Sequence, residues 1–122
     1  MAALTGDRNT PRRDGVQFSF EAAAEIFAGA MVALTAEGKA VPATAAGTVC
    51  VGVAQNHATA AEQVGVRRGV FAFGDAADDA ALTKADIGSA CHVADDQTVK
   101  KAAGTVAGIV VDVDADGVWV KF

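Results

Sequence analysis

Tyrosine is absent from this chain, tryptophan occurs once and phenylalanine six times. The 52% hydrophobic content therefore rests heavily on alanine, whose small side chain contributes little at roughly 25 cal/mol per Å² of apolar surface buried. A core so poor in large side chains predicts a modestly stable isolated copy, for which self-association is the natural remedy. Positive charge is scarce as well. A formal net charge of −5 and a pI near 4.8 oppose the clustered Lys and Arg that phosphate backbones require, which excludes a nucleic-acid surface. No run approaches the ~18–20 apolar residues of a membrane span. The opening Met1-Ala2-Ala3-Leu4-Thr5-Gly6 lacks the charged-then-apolar order of a signal peptide. The expectation is a chain made in the cytoplasm, with no membrane partner.

Metal-binding and nucleophile patterns are missing too. Cys50 and Cys91 stand 41 residues apart, and with His57 and His92 they form neither a C-x-x-C nor an H-x-x-x-H pair, so no zinc site and no metal are expected. Buried reduced thiols are the expected state of both cysteines. Asp112-Val-Asp114-Ala-Asp116-Gly117 matches the first half of a calcium loop, but the twelfth-position acid would fall at position 123, past the last residue, and no helices flank it. A solvated turn is the expected reading. Ser19 and Ser89 lack a nucleophile elbow, Cys91 and His92 point to opposite faces of a strand, and no glycine pattern forms a phosphate loop. No enzyme site and no cofactor follow from these residues.

What is present reads as an all-β body. Val16, Phe18 and Phe20 alternate with polar residues at the two-residue period of a half-buried strand. Glu21–Glu25 is expected to be a loop with helical character. Met31–Leu34 and Lys39–Val41 form a hairpin closed by Pro42. Val49–Ala54 follows, with Gly52 marking a bend or a close backbone approach. Val64–Phe73 reads as one long strand kinked at Gly69, which sends Arg67 and Arg68 to opposite faces. Thr83 and Asp86 frame the one expected helical turn, ended by Gly88. Ala90–Val93 with Thr98–Lys100, then Ile109–Val113 with Val118–Phe122, complete two more pairs, the last joined through Asp114-Ala115-Asp116-Gly117. Short strands punctuated by glycine predict a small β-barrel or sandwich with one short helical turn. Phe71, Phe73 and Trp119 are expected to serve core or subunit-interface packing. Arg67 and Arg68, usually a solvated rim, are also candidates for contacts to a carboxylate of a neighbouring subunit.

Residues 1–15 differ from this body. They hold three Arg against Asp7 and Asp14, net +1, whereas residues 16–122 hold seven Lys and Arg against thirteen Asp and Glu, net −6. Such a split predicts an extended N-terminal arm over 1–15 and a single β domain over 16–122, the arm serving as an attachment device that orders on a partner.

The order Arg8-Asn9-Thr10-Pro11-Arg12-Arg13-Asp14-Gly15, Gly29-Ala30-Met31-Val32-Ala33-Leu34, Val41-Pro42-Ala43-Thr44, Val51-Gly52-Val53-Ala54 and Val66-Arg67-Arg68-Gly69-Val70-Phe71 resembles the small head decoration proteins of tailed phages, notably those of Mu-like transposable phages. Thr83-Lys84-Ala85-Asp86-Ile87-Gly88 and Ala107-Gly108-Ile109-Val110-Val111-Asp112 extend the resemblance over nearly the whole chain. The resemblance implies a β-tulip-like body that assembles as a homotrimer on the outer capsid surface of the virion. It also implies arms that reach onto the major capsid protein. On that reading the contacts to the capsid come from Thr5, Arg8, Asn9, Thr10, Arg12 and Arg13, and the interface between subunits from Arg67, Arg68, Phe71 and Phe73. Other classes keep a place beside it: another virion component such as a tail tube or adaptor, or a ligand-binding or hydrolytic β-barrel with an unstructured leader.

Overall fold

The computed structural model of the chain describes residues 2–8, 15–47 and 50–122. Ten strands follow one another: β1 Gln17–Glu21, β2 Met31–Leu34, β3 Ala40–Pro42, β4 Cys50–Ala54, β5 Gln63–Arg67, β6 Val70–Asp75, β7 Ala90–Asp95, β8 Thr98–Lys100, β9 Val106–Asp114 and β10 Gly117–Lys121. The all-β expectation holds. The strands divide into a five-stranded sheet, ordered β1-β5-β4-β2-β3, and a closed five-stranded barrel, ordered β10-β6-β8-β7-β9.

The sheet curls back on itself. Ala22, just past β1, makes a parallel bridge to Ala40 of β3, and the Ala23 N–H donates to the Ala40 carbonyl at 2.8 Å. Inside the curl lie Ile26, Val32, Val64 and Val66, flanked by small alanines that let the strands approach closely. The other core fills the barrel with Val93, Val99, Val110, Val118, Val120 and Phe73, and takes Met31, Ala33, Cys50 and Val53 from the sheet. Successive residues of a strand face opposite sides. β2 therefore sends Val32 into the curl and Met31 and Ala33 toward the barrel, so that one strand serves both cores.

Three expectations are corrected. The long strand over Val64–Phe73 is two strands in different sheets, because Gly69, at φ +155°, turns the chain out of the curled sheet and into the barrel. The segment Glu21–Glu25 carries no helical turn. Its N–H groups at Ala22 and Ala23, and that of Ile26, donate to the carbonyls of Glu62, Ala40 and Ala58, which turns them away from helical partners. A second 3-10 turn, Asp78–Ala80, stands in the acidic alanine-rich stretch beside the expected one at Lys84–Asp86. The expected turn has its capping box: the Ala85 N–H donates to the Thr83 hydroxyl at 3.3 Å and the Thr83 N–H donates to Asp86 at 2.9 Å.

Candidate functional site

The N-terminal segment and the barrel's outer face carry the residues singled out in the sequence. Residues 2–8 are all exposed, and Leu4 is 70% accessible, an apolar side chain with no core around it. Thr5 and Arg8 belong to this exposed run. Asn9, Thr10, Arg12 and Arg13 lie outside the described residues. The description resumes at Gly15 ahead of β1, and the Arg68 N–H donates to the Val16 carbonyl at 2.6 Å. β1 pairs only with β5 along its length, Gln17 opposite Arg67 through Glu21 opposite Gln63. The N-terminal segment therefore enters the fold on a strand at the sheet margin, next to the two arginines.

Arg67 ends β5 and Arg68 follows it, both exposed, and neither approaches a carboxylate within 4 Å among the described residues. Beyond Gly69, β6 alternates. Phe71 and Phe73 point inward, opposite Val120 and Val118, while Val70 and Ala72 point outward, opposite Lys121 and Trp119. This alternation separates the two phenylalanines expected to serve core or interface packing. Phe73, only 6% exposed, is a barrel core residue packed edge-on against Phe122 with ring centroids 5.7 Å apart, so it has no surface to offer a neighbouring subunit. Phe71 is half-buried and tilts against the same ring at 6.3 Å.

The outward residues were missed by the sequence reading. Val70, Lys121 and Ile109 stand side by side across β6, β10 and β9. Val70 is 47% and Ile109 42% exposed. Val111 joins them at a bulge in β9, where the register against β10 shifts between Trp119 and Val120. The signal was available in the alternation of Val70 and Ala72 against Phe71 and Phe73. Choosing the outward set needed the partner strands, which local sequence does not name.

Elsewhere, the acids, histidines and thiols that the sequence singles out are held in structural contacts. At the β9–β10 hairpin, Asp114 accepts from the Asp116 N–H at 2.8 Å and from the Trp119 indole at 3.0 Å, so its carboxylate closes the turn. Asp112 accepts from the Lys84 ammonium at 3.0 Å and from the Val113 N–H. These bonds, with Lys84 foremost, hold its carboxyl below the ordinary range. Among the described residues no group of three or more His, Cys, Asp or Glu is placed to hold a metal ion. Cys50 and Cys91 are buried free thiols. Burial raises both, Cys50 to about 11, which removes thiolate character at neutral pH. His92 meets the Lys101 carbonyl through Nδ1 at 3.1 Å while Cys91 turns into the barrel. His57 pairs with Glu25 at 2.9 Å and stacks on the exposed Phe27 at 5.0 Å.

Two hollows remain. One, of about 430 Å³, lies beside β2 and β3 and is lined by Ala33, Leu34, Val41, Pro42, Thr44 and Thr105. The other, of about 270 Å³, lies between Phe27–Ala30 and the Asp96-Gln97 turn. Neither gathers a nucleophile and a base. No helix among the described residues is long and apolar enough to cross a membrane. No family model, curated protein or solved structure matches the chain.

Proposed function

We propose that this chain is a capsid decoration protein, a non-enzymatic cement that binds the outer surface of a phage head as a trimer and braces it against the outward load of packed DNA. The observation that carries the reading is the fully exposed segment 2–8 with its uncovered Leu4, set ahead of a marginal strand on an all-β body. An apolar side chain and an extended polar run with no place in either core are suited to ordering on a partner. An extended arm can add a strand to an exposed sheet edge of the major capsid protein, with main-chain bonds giving affinity and Arg8, Arg12 and Arg13 giving register. Three arms on one trimer act together. Once the first binds, the others bind at high local concentration, and avidity exceeds the single-arm affinity by roughly 10²–10⁴ where geometry permits.

Co-sedimentation with purified heads of the phage that encodes the chain tests this reading. The full chain is expected to pellet with expanded heads, and a chain lacking residues 2–15 is expected to stay in the supernatant while remaining folded. Equal pelleting of the two chains refutes the arm's role.

A further inference from the structure

Only seven Lys and Arg serve residues 16–122, and three of them, Arg67, Arg68 and Lys121, gather at one end of the β6–β10–β9 ribbon. Lys39, Lys84 and Lys101 are each within 4 Å of an acid, at 3.0, 3.0 and 3.9 Å from Glu21, Asp112 and Asp86. Arg67, Arg68 and Lys121, and Lys100 on β8, have no such partner among the described residues. The opposite end of the same ribbon is acidic, with Asp75 closing β6 and Asp114 and Asp116 at the β9–β10 turn, all exposed. Five residues of β10 separate the two ends, about 13 Å along the strand. On the outward face the basic end carries Val70 and Ile109 on either side of Lys121, with Val111 at the bulge beside them, and the next outward rung toward the acidic end carries Ala72 and Trp119 with Asp112, which Lys84 pairs at 3.0 Å.

An apolar strip with opposite charges at its two ends has the layout of an interface core and its rim. We infer that this ribbon is the contact between copies of the chain, joined head to tail, with the Arg67–Arg68–Lys121 end of one copy against the Asp75–Asp114–Asp116 end of the next. The occupant is a second copy because the chain supplies both halves of the charge pattern. Head-to-tail contacts close into rings when the rotation permits, and three copies give the trimer of the proposed function, on which this inference rests. The arginine forks suit paired carboxylates better than lysine would. A standard interface takes roughly 800 Å² from each partner, near a tenth of the 7313 Å² that this chain exposes. Such a contact would cover the stripe that the small-residue core leaves open.

Charge exchange in the full-length chain, with no capsid present, tests the inference. Mass is read by light scattering across a dilution series, and folding by circular dichroism. Arg67→Asp with Arg68→Asp is expected to raise the concentration for half-dissociation by about 100-fold or more, since like charges brought together at an interface cost several powers of ten in affinity. Asp116→Arg alone is expected to weaken association in the same direction. All three changes together are expected to associate more tightly than the Arg67→Asp, Arg68→Asp variant, since the facing end falls from three negative charges to one. All three positions are exposed, so the variants should fold as the parent does. A reversed-charge variant that stays trimeric at the parent's concentrations overturns this interface while leaving the trimer intact. A parent chain that is monomeric throughout overturns the trimer itself.

Discussion

Thr105 is the one buried polar residue among the described side chains of both cores, at 0% exposure, and it joins the barrel to the curled sheet. Its hydroxyl donates to the Thr44 carbonyl at 2.7 Å, its N–H donates to the Ala45 carbonyl at 3.3 Å, and its own carbonyl accepts from Val93 at 2.8 Å. Thr105→Val keeps the shape and removes only the hydroxyl. The lost bond and the carbonyl left facing a methyl group together cost about 2 kcal/mol. At about 2.1 cal/mol/K per residue, unfolding 122 residues carries an entropy near 0.26 kcal/mol/K, so the melting temperature should fall by about 8 °C. Thr105→Ser keeps the bond and loses a methyl, at about 1 kcal/mol or about 4 °C. Calorimetry should rank the parent above Thr105→Ser and Thr105→Val lowest. A Val variant that melts with the parent, or above the Ser variant, refutes the claim that this hydrogen bond fastens the two halves.

Three further outcomes follow from the same geometry. The unfolded chain releases the Cys50 proton near its ordinary value of 9.0, while the folded chain holds it to about 11. Over that window the folded state binds the extra proton and stability falls with rising pH as the unfolded chain ionises. The fall amounts to roughly 3 kcal/mol in all; Cys50→Ala should lessen it in urea titrations at pH 9 to 11. Lys84→Ala should move the Asp112 titration up toward the ordinary carboxylate range in a carbon-detected NMR titration, because Lys84 is the largest cause of its depression. The pair's stabilisation is present above the ordinary carboxylate value and is lost as pH falls through the lowered one, so the variant should show a weaker acid dependence. Gly52→Ala should cost roughly 1–3 kcal/mol from backbone strain at φ +150°. The clash adds to this cost, since the new Cβ would lie 2.7 Å from the Arg67 carbonyl oxygen; a Gly52→Ala chain with the parent's urea midpoint would show that β4 and β5 can part there.

Local signals carried most of the elements. The alternation at Phe18 and Phe20, the Asp114–Gly117 turn and the Thr83–Asp86 box each act within a few residues, and each appears where local chemistry places it. Gly52 was legible as a close approach because only a missing side chain admits the Arg67 carbonyl there. The misses are of another kind. Whether Gly69 bends a strand or moves the chain to another sheet depends on which strands wait on either side, and Val70 finds Lys121 51 positions away. The helical expectation at Glu21–Glu25 failed because alanine propensity is a weak force beside the carbonyls of Glu62, Ala40 and Ala58. Phe73 stays open between core and interface in the sequence because its aromatic ring fits either until the partner strand is known. In the candidate site, the arginines were found by charge, while Ile109, Val111 and Lys121 needed the barrel's register.

Cryo-electron microscopy of heads incubated with the full chain tests the central claim most directly. The account predicts threefold clusters of β bodies on the outer surface, with each N-terminal segment traced into ordered density against the capsid protein. Bare shells, or bound bodies whose first fifteen residues touch nothing, would contradict it.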